Sequence, residues 1–510
     1  MPRRIALPFL LGVLAAAQQA PPEPTFRTGT DLVQVNVVAQ DKDSKPVVDL
    51  GRADFQIFDN GAQQEIRLFL ADRPTAAPPE ARSPGIFTNQ IAAGRGGYAV
   101  LLFDNLNIDP GNEEFAHTAR ARQKALLALR EISANDKIAI YALGCRFQVV
   151  REFTSDRDSL IQQLKTFSPA PGPCADPSSG DPPPRPTLAQ LMVSGPTQAD
   201  GTPMWATGPP PETGHAAEGM AAASAAIAAD LTDRQTLQLA EHLAGIPGRK
   251  NLIWLTTTFH VRPSNLRKLL NADVAIYPVD TQGSTIALAA DKAARAAMLG
   301  AIAAQTGGVA FVDRDDLDVG IRGALNDGRI SYTLGFYRPD QDNKSVHQIG
   351  IRVSRPGVTL RYRTSYTVEP PPPKSADPVH DLVQAMNSPV DATAIRLMAS
   401  VTRSQNRLEI SGVLDVAGLD LELNEGLWKG KAELVARFVT PDGKQAGKVE
   451  ALTMTFNLRP ATYASALQRG FRFHREIAIP PKAVDMNLLI GNVASGKIGT
   501  LTIPLSEVRE

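Results

Sequence analysis

The chain has 510 residues, of which 43% are hydrophobic and 21% are charged, as is typical of a soluble globular protein. Its 53 basic and 53 acidic residues give a formal net charge of zero, and no basic stripe interleaved with aromatic residues occurs, so we expect no nucleic-acid partner. The length predicts about three domains.

Residues 1–20 predict a secretory signal peptide. Arg3 and Arg4 form a basic start, Ile5–Ala17 is an apolar run, and Ala15–Ala17 provides an A-x-A cleavage site. No later run of about 18 apolar residues follows. We therefore expect a mature protein without a transmembrane anchor, either periplasmic or secreted.

The segment 26–72 predicts a small N-terminal β unit. Leu32–Val38, Phe55–Phe58 and Ile66–Leu70 have the composition of strands, and Asn60-Gly61 is a hairpin signal. The Pro-, Ala- and Gly-rich segment Ala71–Gly97 that follows is typical of a linker.

Residues 96–327 alternate apolar strands with helical segments, which predicts a Rossmann-like α/β domain whose mainly parallel sheet is covered on both faces. Its predicted strands are Tyr98–Phe103, Lys137–Leu143, Phe147–Phe153, Asn251–Leu255, Val274–Val279 and Val309–Val312. A long Ala/Leu-rich helix, His215–Leu243, is predicted with a break near Asp230–Asp233. Residues 168–212 are rich in Pro and Gly and predict a mobile loop.

After Ser331 the hydrophobic period changes to two, and residues 328–368 predict further strands, the last of them Leu360–Val368. Because these strands and the N-terminal unit flank the α/β segment, we hypothesise that they pair into one β module with the α/β domain inserted between them. Residues 369–376 predict a stiff Pro-rich linker. Residues 377–510 contain roughly seven short strands separated by turn signals, which predicts a β-sandwich.

Cys145 and Cys174 are the chain's two cysteines, and neither lies in a C-x-x-C context. In an oxidising compartment they would be able to form a disulfide, but a single pair in a long chain is equally consistent with two unpaired thiols. Both interpretations stay open from the sequence.

Several stretches resemble the von Willebrand factor A (vWA) fold, and specifically a vWA-related family found in acidobacterial genomes. They include VLLFDNLNI, HLAGIPGRKNLIWLTTTF, VAIYPVDTQG and SYTLGFYRPD, in that order between about residues 26 and 366. FNLRPATY and LLIGNVASGKIGTLTIPL resemble the β extension of some members. The resemblance implies an extracytoplasmic protein without enzymatic activity.

The resemblance also implies where a metal site would lie. A metal-binding vWA domain carries Asp-x-Ser-x-Ser after its first strand, a Thr from a second loop and an Asp from a third, because Mg²⁺ prefers oxygen ligands. Here Asp104 is retained, but Leu106 and Ile108 occupy the two hydroxyl positions, and Thr257 stands where the third loop's Asp would be. The implied site is therefore degenerate.

Two interpretations of Asp104 remain. In the first, Asp104 and Asn107 form a reduced magnesium site together with Thr256 or Thr258 and water molecules. In the second, Asp104 caps the following turn, which we favour because one carboxylate rarely holds Mg²⁺ alone. Asp280 ends another strand at the same sheet edge and is expected to form a turn. The candidate binding residues are Asp104, Asn105, Asn107, Thr257, Thr258 and Asp280.

The sequence thus predicts a non-enzymatic interaction or adhesion protein with protein partners and either no cofactor or a weakly bound divalent cation. The first alternative is a Mg²⁺-dependent adhesion module that uses Asp104. The second is a secreted hydrolase, for which the sequence offers no nucleophile and base in a recognisable pattern.

Overall fold

The computed structural model describes residues 32–43, 45–72, 85–91, 97–107, 114–133, 135–167, 213–282, 289–338, 345–368, 382, 385–492 and 494–508. The predicted signal peptide, the predicted loop 168–212 and the predicted linker 369–376 lie outside these residues. Within the described ranges, no helix combines the length and the apolar character needed to cross a membrane.

The central sheet has five strands in the order β10-β9-β6-β7-β8. They are β6 (Tyr98–Asp104), β7 (Lys137–Leu143), β8 (Gln148–Thr154), β9 (Lys250–Thr256) and β10 (Val274–Asp280). All neighbours are parallel except β7 and β8, which form an antiparallel pair. The mainly parallel sheet expected from the sequence is therefore confirmed. The predicted strand Val309–Val312 is reduced to a single bridge between Phe311 and Val279.

Both faces of this sheet are covered by helices, because its strands are apolar on both sides. The helices of the α/β segment are α1 (Glu114–Leu129), α2 (Arg157–Thr166), α3 (Thr213–Leu243), α4 (Pro263–Asn271), α5 (Ala289–Thr306) and α6 (Leu317–Asp327). Leu101 and Phe103 of β6 pack with α1, α2 and α6, whereas Val100 and Leu102 pack with α3, α4 and α5.

Helix α3 continues without a break through the segment where the sequence predicted one. The polar residues of that segment form hydrogen bonds and ion pairs with the start of α4. The carboxylate of Asp233 accepts a hydrogen bond from the backbone N–H of Arg262 (Oδ1 to N, 2.7 Å), directly before α4 begins. Asp230 forms ion pairs with Arg234 and Arg262. The predicted break was wrong because these two carboxylates bond Arg234 and Arg262 and do not compete with the backbone hydrogen bonds of the helix.

The strands on either side of the α/β segment pair with each other in two four-stranded sheets, with orders β13-β1-β11-β4 and β14-β12-β2-β3. Their bounds are β1 (Leu32–Gln40), β2 (Phe55–Asp59), β3 (Ala62–Gln64), β4 (Leu68–Asp72), β11 (Ser331–Tyr337), β12 (Val346–Val353), β13 (Thr359–Arg361) and β14 (Ser365–Thr367). Val35 of β1 lies opposite Leu334 of β11, and Ile57 of β2 lies opposite Ile351 of β12. The predicted strand Leu360–Val368 is divided into β13 and β14.

The C-terminal part consists of two packed antiparallel sheets. One has the order β20-β16-β15-β5; the other has the order β17-β18-β21-β22, with β19 also paired to β18. The strands are β5 (Ile86–Thr88), β15 (Leu397–Ser404), β16 (Arg407–Leu414), β17 (Glu422–Asn424), β18 (Leu427–Val439), β19 (Gln445–Leu458), β20 (Phe471–Ala478), β21 (Asp485–Asn492) and β22 (Lys497–Pro504).

The sequence reasoning missed three elements here, of which one is the short strand β17. Strand β5 comes from the segment expected to be a linker, and it adds an edge strand beside β15. Helix α7 (Pro460–Arg469) lies between β19 and β20 and begins with a proline at its first turn. Its Tyr463 stacks on Trp428, with ring centroids 4.1 Å apart, and this contact explains where the helix packs.

Candidate functional site

Asp104 is the last residue of β6 and is only 4% exposed at the carboxyl edge of the central sheet. Its Oδ1 accepts hydrogen bonds from the backbone N–H groups of Leu106 (3.1 Å) and Asn107 (3.0 Å). This is the turn-capping arrangement that we favoured from the sequence, with an aspartate side chain bonding its own backbone two and three residues ahead.

The other carboxylate oxygen of Asp104 is bound by side chains. Oδ2 accepts from the indole N–H of Trp254 (2.9 Å), the hydroxyl of Thr256 (3.0 Å) and the side-chain amide of Asn107 (2.8 Å). Trp254 and Thr256 are two residues apart on β9, the strand adjacent to β6, so they point to the same face of the sheet. Asp104 therefore receives five hydrogen bonds from the protein.

Asn107 and Thr257 extend this cluster. The side-chain N–H₂ of Asn107 also donates to the hydroxyl of Thr232 on α3 (Nδ2 to Oγ1, 2.9 Å). The hydroxyl of Thr257 donates to the backbone carbonyl of Asn107 (2.6 Å). The loop after β6 is thus fixed to both α3 and the loop after β9, and we call Asp104, Asn107, Thr232, Trp254, Thr256 and Thr257 the Asp104 cluster.

These residues do not fit a magnesium ion. Mg²⁺ requires oxygen ligands in near-octahedral geometry, but both oxygens of Asp104 already accept protein N–H and O–H groups. Asn107 presents its nitrogen, rather than its oxygen, to the carboxylate. No group of three or more His, Cys, Asp and Glu side chains suited to a metal ion occurs in the part of the chain that the structure describes.

Two further residues predicted at this sheet edge, Asn105 and Thr258, make fewer contacts with the Asp104 cluster. Asn105 is half-buried, and its side-chain oxygen accepts from the hydroxyl of Thr118 on α1 (3.3 Å). Thr258 is also half-buried, and its backbone carbonyl lies 2.5 Å from the hydroxyl of Thr256, whose single hydrogen is shared between this carbonyl and Asp104. Both lie at the surface of the edge and flank the buried Asp104 cluster.

Asp280 ends β10 and is fully buried. Its Oδ1 accepts from the backbone N–H of Gln282 (3.0 Å), which makes the turn expected from the sequence. Its Oδ2 also lies 3.1 Å from Nε of Arg295 on α5, an ion pair that the sequence did not indicate. Burial raises the pKa of Asp280, against the opposing effects of the Gln282 N–H group and the Arg295 charge. Asp280 bonds residues outside the Asp104 cluster.

Cys145 follows β7 and is disulfide-bonded. The chain's other cysteine, Cys174, lies outside the described residues.

Trp254 and Thr232 are members of the Asp104 cluster that the sequence reasoning did not name. Trp254 carried a weak signal, because its spacing of two from Thr256 places both side chains on one face of a strand next to β6. No local pattern in the sequence pointed to Thr232, because its contact with Asn107 joins residues 125 positions apart.

Comparisons with known proteins do not identify a family. No family model matches the chain, and no curated protein matches it. An aerotolerance-related membrane protein from Bacteroides fragilis is similar in structure, with 13% identity, 46% of this chain and 98% of that chain covered, and a TM-score of 0.24. The conserved hypothetical protein BatB from Bacteroides thetaiotaomicron is similar at 14% identity, with 45% and 97% covered and a TM-score of 0.23. Likeness at this level carries no argument about function, and the vWA-related resemblance remains a prediction.

Proposed function

We propose that this chain is an extracytoplasmic, non-enzymatic protein-interaction protein that binds its partner without a metal ion. The observation that carries the proposal is the saturation of Asp104 by five protein donors. A carboxylate committed in this way stabilises the loops at the sheet edge and leaves no oxygen free for a bridging cation. The partner surface is then formed by the parts of those loops that reach the surface, including the half-buried Asn105 and Thr258.

The fold supports the same proposal. In open α/β sheets, ligands bind outside the carboxyl ends of the strands, where Asp104 and Thr256 end their strands. The antiparallel β7–β8 pair follows the order of elements that the sequence shares with vWA domains. The predicted signal peptide at residues 1–20 supports export from the cytoplasm.

The metal-free part of the proposal is tested by thermal unfolding of the mature chain in EDTA and in millimolar Mg²⁺, Mn²⁺ or Ca²⁺. A ligand that binds the native state raises the unfolding midpoint by mass action. We expect the metal ions to raise the midpoint of the wild-type chain no more than they raise the midpoint of Asp104→Asn. Each protein is compared with its own midpoint in EDTA. A rise in the wild-type chain that this variant abolishes would establish the Mg²⁺-dependent alternative instead.

The interaction surface is tested by affinity capture in EDTA with the immobilised mature chain. Asn105→Arg places a charge at the carboxyl edge and should abolish capture of the partner. Asp158→Arg is the matched control, because Asp158 is exposed and follows the antiparallel β8, so it lies at the opposite edge of the sheet. Equal capture by both variants would contradict the proposed surface, and turnover in a hydrolase screen would contradict the non-enzymatic assignment.

A further inference from the structure

His242 lies next to the end of α3 and is 3% exposed, at the junction between the α/β domain and the C-terminal β-sandwich. On one side, its Nδ1 lies 2.6 Å from the backbone carbonyl of Asp391, which precedes β15. On the other side, its Nε2 lies 2.9 Å from the hydroxyl of Tyr141 on β7. The imidazole ring therefore bridges the two parts of the molecule.

The number of hydrogens available to this ring decides its charge. A carbonyl only accepts, so Nδ1 must carry a hydrogen. The Tyr141 hydroxyl donates to Glu152 on β8 (Oη to Oε2, 2.9 Å). If the ring were neutral, Nε2 and the Glu152 carboxylate would compete for that single hydroxyl hydrogen. A second proton on Nε2 satisfies every contact, because Nε2–H then donates to Tyr141, and Tyr141 donates to Glu152.

The backbone next to His242 is tied to the same segment of the β-sandwich. The hydroxyl of Thr393 donates to the backbone carbonyl of His242 (2.6 Å) and accepts from the N–H of Gly245 (2.8 Å). The N–H of Thr393 donates to the carbonyl of Glu241 (3.2 Å). The carboxylate of Asp391 accepts from threonine hydroxyls of β22, so the segment is anchored in the sandwich.

We propose that His242 is a proton-dependent latch. In its protonated form it joins the α/β domain to the C-terminal β-sandwich, and loss of the proton weakens that junction. Among the described residues, the titratable groups that face the ring are Tyr141 on β7, Glu152 on β8 and Asp391 before β15. All are acids, so none of them repels an imidazolium.

The electrostatics agree with this assignment. Burial opposes the charge on His242, but the hydrogen bond and the charge of Glu152, together with Asp391, outweigh it and raise the pKa of His242 above its ordinary value. Burial likewise opposes the charge on Glu152, yet hydrogen bonds involving His242 and Tyr141 lower the pKa of that carboxyl. Burial raises the pKa of Tyr141 well above its ordinary value, so the hydroxyl keeps its proton.

The direction of the pH effect follows from these shifts. A histidine whose folded pKa is raised contributes stability that is complete below its unfolded value of about 6.5 and is lost as the pH rises through the folded value. The lowered pKa of Glu152 contributes stability that is complete above about 4.3 and is lost as the pH falls through its own folded value. The latch is therefore closed in mildly acidic solution and weakens as the pH rises through the folded pKa of His242.

The test is hydrogen exchange of the mature chain across a pH series from about 5.5 to about 8, corrected for the intrinsic exchange rate, in peptides that cover residues 238–248 and 389–396. In the wild-type chain we expect protection of both segments to fall severalfold as the pH rises through this range, because the raised pKa of His242 is passed. His242→Gln should show low protection at every pH. The matched control is His474→Gln, at an exposed histidine of β20, which should behave as the wild type.

A second variant separates the latch from a merely structural role. The side chain of Glu152 is 50% exposed, so Glu152→Gln is compatible with folding. Without the negative charge, the pH at which half of the protection is lost should fall, because the Glu152 charge raises the pKa of His242. An unchanged midpoint in Glu152→Gln, or a wild-type pH response in His242→Gln, would overturn the proposal.

Discussion

The ammonium of Lys250 donates to the backbone carbonyl of Ile246, Nζ to O 2.7 Å, inside the molecule, where Lys250 is only 2% exposed. Lys250 begins β9, and Ile246 lies just beyond α3, so this contact closes the turn that leads into the central strand. Burial lowers the pKa of Lys250 to about 8, with the charge of Asp273 acting against it. The buried Lys250 therefore loses its proton at a lower pH than an exposed lysine does.

Lys250→Met should change the pH dependence of stability. Between pH 8 and about 10.4, the usual lysine pKa, the unfolded chain keeps the Lys250 proton that the folded chain has lost, so wild-type stability rises with pH across this interval. Relative to Lys250→Met, the wild type should gain about 2 kcal/mol between pH 7 and pH 10. Urea unfolding of both proteins across this range measures the difference, and parallel curves would contradict the lowered pKa.

Thr257→Val should destabilise the chain by about 1 kcal/mol, because it removes the hydroxyl that donates to the carbonyl of Asn107 and leaves that buried acceptor without this donor. Thr258→Val makes the same chemical change at the next residue, which is half-buried, and should stay within about 0.5 kcal/mol of the wild type. Chemical unfolding curves measure both. A greater loss of stability in Thr258→Val than in Thr257→Val would show that the Asp104 cluster is not organised as described.

Gly245→Ala should disrupt the contact between the end of α3 and the C-terminal sandwich. A Cβ at this position would lie 1.8 Å from the carbonyl oxygen of Thr393, so the backbone must move, at a cost of about 1–3 kcal/mol. Gly300→Ala on α5 is the control, because its Cβ would meet open space and helix propensity should stabilise it by about 0.5–1 kcal/mol. Thermal melts should move in opposite directions, and equal shifts would contradict the close approach.

Cys145→Ser should lower stability by about 2–4 kcal/mol, because it removes the constraint that the disulfide places on the unfolded chain. If Cys174 is the partner of Cys145, Cys174→Ser should have the same effect, and the double variant should lose no more stability than either single variant. Unfolding with and without reductant measures this. A wild-type midpoint unaffected by reductant would argue against a stabilising disulfide, and peptide mapping under non-reducing conditions identifies the partner of Cys145.

Strand β6 shows how far local patterns predict the fold. Its seven residues, Tyr98–Asp104, are all buried, and the first six of them form a continuous apolar run that is visible in the sequence. Strand β5 shows the opposite case. Its three residues carry no periodicity, and it is a strand because it pairs with β15, where the hydroxyl of Thr88 donates to the carbonyl of Leu397, 309 positions away.

Hairpin and turn signals predicted where strands end but not which strands pair. The pairing of β1 with β11 joins residues separated by the whole α/β segment, and the sequence supported it only as a hypothesis from the order of the elements. Helix α7 was missed because it occupies a short connection between two strands, where turn residues were expected. Its stacking of Tyr463 on Trp428 depends on a strand earlier in the chain.

The sequence by itself determined the alternation of strands and helices in the central domain, the position of Asp104 at a strand end and the apolar residues at the two hydroxyl positions. These features are local, because burial periodicity and strand ends are set by neighbouring residues. Only the tertiary structure decided that Trp254 and Thr256 occupy the Asp104 carboxylate and that His242 meets Asp391. Those contacts join residues about 150 positions apart, and their partners are selected by the packing of whole elements.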